Sequence, residues 1–213
     1  MNPVYDVDGI QIWHADCADV LPLIDPATVG LLLTDPPYGI GLDTNYAARL
    51  PDAIDWDREI VADDTPFDPQ HLVKYGRLVL WGANNYSQTL PRGGWIVWDK
   101  GFRSQRDVRS ECEMAWTNVT RRLRMVNVQW IGAVRGDERG SSLHPTQKPV
   151  ALMRWIVEQW TEPGDLVLDP YMGSGPVARA CADLGRRYIG IEIVEEYVDA
   201  AIGRLGQLTL DVN

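Results

Sequence analysis

Asp165-Leu166-Val167-Leu168-Asp169-Pro170-Tyr171-Met172-Gly173-Ser174-Gly175 reads as a short apolar strand running into a turn with glycine at two alternate positions. Glycine at such positions lets a bulky ligand approach the backbone. A helix is expected from Pro176 through Ala182, stopping near Gly185, with proline early and glycine late as helix ends prefer. The next apolar run, Arg187-Tyr188-Ile189-Gly190-Ile191-Glu192-Ile193, carries an acidic residue near its end, 23 residues after Asp169. In nucleotide-binding α/β folds an acidic residue about 20 positions beyond the glycine turn accepts hydrogen bonds from ribose hydroxyls. The turn is not G-x-G-x-x-G, so the pattern favours an adenosine-bearing ligand without a pyrophosphate over a dinucleotide.

A second apolar run, Val29-Gly30-Leu31-Leu32-Leu33-Thr34, leads directly into Asp35-Pro36-Pro37-Tyr38. At the end of a buried strand these residues can hold the exocyclic amino group of a nucleic-acid base. The Asp35 carboxylate can accept one hydrogen bond from the amine and the Pro36 carbonyl the other; proline has no N–H and its fixed φ stiffens the turn. Tyr38 offers an aromatic face to a base taken out of the duplex.

With these two motifs and His144-Pro145-Thr146-Gln147-Lys148-Pro149, the chain resembles the amino-group DNA methyltransferases that use S-adenosyl-L-methionine, in their β arrangement. There D-P-P-Y comes first in sequence and the cofactor loop, usually D-P-F-x-G-S-G-T, comes last; Pro176 stands where the family commonly has Thr. The resemblance covers nearly the whole chain, apart from 40–65 and 118–143. It implies one Rossmann-like methyltransferase domain over 1–213, circularly permuted. Its catalytic half would span 1–117, a short target-recognition insert 118–143, and the cofactor half 144–213. The implied sheet is mostly parallel, with seven strands, one of them antiparallel. The resemblance makes Asp35, Pro36, Pro37 and Tyr38 catalytic. It places Asp169, Pro170, Tyr171, Gly173, Ser174, Gly175 and Glu192 on the cofactor, with Asp16 and Cys17 beside its adenine. Asp16 reads equally well as the N-cap of the helix after it. Lys148 is placed either near the cofactor's carboxylate end or at a helix start.

The composition is that of an ordinary soluble globular protein. At 213 residues the chain can bury an ample core in one domain. No apolar run reaches transmembrane length and the N-terminus lacks a basic segment followed by an apolar one, so a cytoplasmic protein is expected. Cys17, Cys112 and Cys181 are odd in number and far apart, which points to neither a disulfide framework nor a metal site. The formal net charge of −10 is unevenly spread. Residues 100–139 carry nine Lys or Arg against five Asp or Glu, and the remainder eleven against twenty-five. Arg103, Arg106, Arg109, Arg121, Arg122, Arg124, Arg135 and Arg139 make this region a candidate face for double-stranded DNA, arginine being suited to bidentate phosphate and guanine contacts.

Strand-like runs are expected at Ile10–His14, Val29–Thr34, Arg77–Trp81, Trp95–Trp98, Glu113–Thr117 and Val126–Trp130, besides the two already quoted. Helices are expected around Ala18–Leu23, Pro69–Tyr75, Asn84–Leu90, Lys148–Trp160 and Val194–Leu205, and the aromatic residues Trp81, Trp95 and Trp98 as packing residues. Helices between strands imply a parallel sheet covered on both faces, with ligands at the carboxyl ends of the strands. Adenine N6 is the expected target because Asp stands at position 35, where relatives acting on cytosine N4 more often carry Ser. Cytosine N4 remains the alternative, as does an inactive DNA-binding or cofactor-sensing relative. The small size and the short 118–143 region fit a solitary or phage-borne bacterial methylase that depends on a very short site, a homodimer or a partner subunit; a restriction-modification setting is compatible.

Overall fold

A computed structural model describes residues 1–41, 61–101, 110–130 and 147–206. Its strands are β1 (Tyr5–Val7), β2 (Ile10–His14), β3 (Leu31–Thr34), β4 (Leu78–Trp81), β5 (Gly94–Asp99), β6 (Cys112–Thr117), β7 (Leu123–Asn127), β8 (Leu166–Asp169) and β9 (Arg187–Glu192). They form one nine-stranded sheet in the order β1-β2-β9-β8-β3-β4-β6-β5-β7. The helices are α1 (Cys17–Val20), α2 (Val150–Trp160), α3 (Pro176–Leu184) and α4 (Glu195–Gly206).

The central strands read as unbroken apolar runs because both of their faces are covered. Leu31, Leu32, Leu33 and Thr34 are all buried. Leu31 and Leu33 pack with Leu152, Met153 and Ile156 of α2 and with the buried faces of α3 and α4. Leu32 faces the other way, with Val20 and Leu21 near α1 and with Leu72, Tyr75 and Tyr86. Helix α3 is framed by two left-handed glycines, Gly175 at φ 73° before Pro176 and Gly185 at φ 66° after Leu184, as the sequence predicts.

The expected seven strands with one antiparallel are corrected to nine with two antiparallel, β1 and β6. Strand β1 exists because Asp8 and Gly9 both adopt positive φ, 52° and 80°, the geometry of a two-residue hairpin turn that returns the chain onto β2. At the opposite edge β7 lies three residues earlier than expected. It packs on one side only, so Leu123 and Met125 stay 72% exposed and its apolar signal is broken by Arg124. The helix expected at Pro69–Tyr75 is a single 3₁₀ turn, Pro69–His71, and that at Asn84–Leu90 is two, Ala83–Asn85 and Ser87–Thr89. Segments this short fall below the length at which helical propagation repays nucleation. Among the described residues no helix is long and apolar enough to cross a membrane. Of the 118–143 segment the described part, to 130, holds the approach to β7, β7 itself and the residues after it.

Candidate active site

The sheet order creates the site. From β8 the chain passes through α3 to β9 on one side, and from β3 it passes to β4 on the other. The carboxyl ends of β8 and β3 are therefore a topological switch point, where the connections leave a crevice. Asp169-Pro170 and Asp35-Pro36 leave these two neighbouring strands. The Thr34 hydroxyl donates to Asp169 Oδ1 at 2.6 Å and stitches the two strand ends together.

Asp169 is buried, and its carboxylate also takes the Tyr171 N–H at 3.3 Å and the Tyr188 hydroxyl at 3.3 Å. Burial pushes its carboxyl up to about 7, in spite of those donors. The folded protein thus retains a proton that the unfolded chain releases near pH 4, roughly the unperturbed Asp value. That contribution to stability is complete below about pH 4 and disappears as pH rises through about 7. Asp169→Asn removes the titration while keeping an acceptor for Thr34. Its melting temperature relative to the parent should therefore climb between pH 5 and pH 8. A difference constant across that range, in thermal melts of the ligand-free protein, would show that Asp169 does not titrate there.

The loop after β8 folds back on Glu192. The Gly173 N–H donates to Glu192 Oε2 at 2.8 Å, and the Ile193 and Val194 N–H groups donate to Oε1 at 3.0 and 2.9 Å. Three of roughly four carboxylate lone-pair sites are taken, which leaves one on Oε2 for a hydroxyl. Gly173 and Gly175 adopt φ 54° and 73°, and a Cβ on Gly175 would stand 2.7 Å from Ala201 of α4. Ser174 is buried, its hydroxyl on Gln147 at 3.3 Å. Asp16 caps α1, accepting from the Ala18 N–H at 2.8 Å, as its N-cap reading expects.

On the β3 side, Tyr38 donates its hydroxyl to Asp35 Oδ1 at 2.5 Å, and the Lys148 ammonium donates to Asp35 Oδ2 at 2.5 Å. Burial raises the Asp35 carboxyl, the Lys148 charge opposes that shift, and Glu113 adds to it. Lys148 does not cap a helix. It lies just before α2, 4% exposed, between Asp35 and Glu113, whose Oε2 it meets at 3.0 Å. The Tyr38 ring lies directly over Gly82, at φ 65° just past β4. After the tetrad the chain is turned by Asp63, a buried carboxylate whose Oδ1 receives the N–H groups of Tyr38, Gly39 and Ile40 at 3.0, 2.8 and 3.3 Å.

Between these walls lies a cavity of about 640 Å³, the size of a small-molecule site. It brings together Asp35, Pro36, Pro37, Tyr38, Asp16, Cys17, Lys148, Asp169, Pro170, Tyr171, Gly173, Ser174 and Glu192. Gly175 is not in its lining and shapes the turn from behind. Arg121, Arg122 and Arg124 are exposed on and before edge strand β7, away from the cavity. Arg103, Arg106, Arg109, Arg135 and Arg139 lie outside the described residues, as does His144-Pro145-Thr146.

A sequence profile of DNA methylases of the N6/N4 type matches residues 83–203, more than half of the chain. The chain belongs to the DNA methylase family. The methylase is 28% identical over 212 residues to YubD of Escherichia coli (strain K12), covering 90% of this chain and 88% of that protein. It is 26% identical over 249 residues to the type II methyltransferase M2.LlaDCHI of Lactococcus lactis subsp. cremoris, with 97% and 93% covered. The crystal structure of the M1.HpyAVI–SAM complex superposes with a TM-score of 0.58 at 25% identity, covering 92% of this chain and 99% of that one. The cytosine-N4-specific PvuII DNA methyltransferase shares the fold, with a TM-score of 0.64 at 15% identity over 95% of this chain and 88% of that one.

Four residues of the methylase's site are not singled out by motif reading. Asp63 falls in an acidic stretch without periodicity. Glu113 looks like an ordinary polar position of a strand. Gly82 gives only a faint signal, a glycine directly after an apolar strand. Trp81, expected to be a packing residue only, also lines the cavity, with its indole N–H buried and without a hydrogen-bond partner.

Proposed function

We propose that this methylase transfers the methyl group of S-adenosyl-L-methionine to the exocyclic N6 of adenine in double-stranded DNA. The observation that carries the proposal is Asp35-Pro36 at the carboxyl end of β3, facing the same cavity as the glycine loop and Glu192. The donor set fits the cofactor: a strand-end carboxylate with an open lone pair for a ribose hydroxyl, a glycine turn without a pyrophosphate cradle, and Asp16 and Cys17 beside them, just past the end of β2 that pairs with Glu192. When bound there, the cofactor supplies an electrophilic methyl on a sulfonium sulfur and leaves as the thioether.

The protein's own task is to prepare the amine and hold it in line. An exocyclic amine is a weak nucleophile because its lone pair is delocalised into the ring. Hydrogen bonds from its two N–H groups to Asp35 and to the Pro36 carbonyl favour a tetrahedral nitrogen with a localised lone pair. The same acceptors face the positive charge that develops on that nitrogen, a preorganised electrostatic contribution. Positioning two bound reactants supplies much of the remaining acceleration. After transfer the nitrogen sheds one proton, which Asp35 can accept on its way to solvent. Unstacking the target base costs a few kcal/mol.

The test is incubation of the purified protein with unmethylated genomic DNA and methyl-labelled S-adenosyl-L-methionine, followed by nucleoside analysis and modification-aware sequencing. The expected product is N6-methyladenine at a defined short motif. N4-methylcytosine alone would reassign the base, and no label with intact cofactor binding would remove the activity.

The arginines of the β7 edge are proposed as a phosphate-contacting surface. Across four strand spacings they lie about 19 Å of sheet from β3, within the width of a bound duplex. Neutralising Arg121, Arg122 and Arg124 together should weaken DNA binding and reduce the dependence of log Kd on log salt by about 0.9 per lost phosphate contact. An unchanged affinity and slope in a salt titration would remove this surface from the interface.

A further inference from the structure

Both oxygens of Asp35 are already engaged, one by the Tyr38 hydroxyl and one by the Lys148 ammonium, each at 2.5 Å. Two of the carboxylate's roughly four lone-pair sites are thus taken, and the ammonium at Oδ2 is a charged competitor for the oxygen that an incoming amine would use. Lys148 is 4% exposed, and a buried cation that loses its partner is costly. Lys148 nevertheless has a second anion in reach, Glu113 Oε2 at 3.0 Å. Glu113 in turn binds the Lys100 ammonium through Oε1 at 2.7 Å. Asp35, Lys148, Glu113 and Lys100 therefore form a row of alternating charges, contributed by the ends of β3 and β5, the start of α2, and β6.

Strand β6 places Glu113 there because it runs antiparallel. Ala115 pairs with Trp81, the last residue of β4, so Glu113, two residues earlier in sequence, lies beyond the carboxyl end of β4, beside Lys148. A parallel strand in that position would have brought its terminal residues to this end instead.

We propose that Glu113 is a positioning residue for methyl transfer: it takes over the Lys148 ammonium when the target amine docks and so frees an oxygen of Asp35. Before docking, Lys148 is a place-holder, presenting an N–H donor to the carboxylate where the base amine presents its own. This rests on the proposed amine methylation at Asp35 and adds the means by which the carboxylate is vacated.

Glu113→Gln keeps the shape and removes the anion. The single-turnover rate should fall about tenfold or more, with S-adenosyl-L-methionine affinity and melting temperature close to those of the parent. Binding reports the same event without turnover. A duplex carrying adenine at the methylated position should bind the parent more tightly than one carrying purine, which lacks the amine. Glu113→Gln should lose that preference.

The acid limb of the rate profile should also move to lower pH, since removing one of the anions facing Asp35 makes its carboxyl easier to ionise. The other groups facing it are Lys148, Lys100 beyond Glu113, Tyr38, Tyr86 and Asp169, and all remain. In a Lys148→Met background, Glu113→Gln should add no more than about twofold, because no ammonium is left to transfer.

A parent-like rate and purine discrimination in Glu113→Gln would overturn the proposal. So would a rate loss with an unmoved acid limb, or an undiminished loss in the Lys148→Met background. If the parent protein methylates no amine in DNA, the proposed function fails first. If it does and Glu113→Gln behaves like it, only the role of Glu113 fails.

Discussion

Asp35→Ala is expected to abolish methyl transfer, with a loss of at least ~10³-fold in single-turnover rate, while cofactor affinity stays within about twofold of the parent. The two effects separate because Asp35 ends β3, whereas the cofactor side is held by Glu192, Gly173 and the loop between β8 and α3, which make no hydrogen bond to Asp35. The variant should fold. Lys148 would otherwise be a buried cation without a partner, but it retains Glu113 at 3.0 Å. Asp35→Asn is the sharper comparison. The amide still offers one acceptor but carries no negative charge toward the developing cation, so it should recover little of the rate. Rapid-quench turnover and calorimetric titration with S-adenosyl-L-methionine read the two quantities independently. Near-normal turnover in Asp35→Ala would remove the carboxylate from the mechanism.

Gly82→Ala is expected to cost about 10²-fold in rate, through Tyr38 rather than through any direct contact with substrate. A Cβ at position 82 would fall within the Tyr38 ring. The ring cannot drift away freely, because its hydroxyl is bound to Asp35 at 2.5 Å and lies 3.2 Å from Lys148. Gly82 also sits at φ 65°, a conformation that costs a residue with a Cβ roughly 1 kcal/mol or more. The variant should therefore lose some stability and much more activity. It should bind S-adenosyl-L-methionine normally, since Gly82 follows β4, two strands away from β8 and the glycine loop. A variant that keeps its rate would show that the Tyr38 ring can shift without consequence for the amine. Tyr38→Phe, which keeps the ring and loses the hydroxyl, separates packing from hydrogen bonding in the same assay.

Most of the frame was legible in the chain because buried parallel strands must be apolar throughout and end in turns. The apolar run Ile10–His14 coincides with β2. Leu31–Thr34, Leu166–Asp169 and the glycine-framed α3 follow from local chemistry alone: a continuous apolar run, a proline that starts a helix, a glycine that stops it. The two loops that line the cavity were legible for the same reason, since each directly follows such a strand. The edges were not. β1 is three residues long and β7 leaves Leu123 and Met125 in solvent, so neither carries the alternation that a half-buried strand imposes on its sequence. The Asp8-Gly9 pair was the one local sign of the extra hairpin.

The sequence by itself determined the residues to which the proposed chemistry is assigned: Asp35 after one buried strand, the glycine turn after another, Glu192 at the end of a third. It did so because the demands of a tight turn, a ligand approaching the backbone and a strand-end carboxylate are local, met within a few consecutive positions. Tertiary structure alone decided the company those residues keep. Glu113 reaches Lys148 only because β6 runs antiparallel beside β4, and Lys148 meets Asp35 from 113 positions away. Asp63 holds the turn after the tetrad from 25 residues beyond Tyr38. These are pairings of charge across the sheet, and a buried charge is tolerable only beside its counterion. No periodicity within a segment records which distant residue that counterion will be.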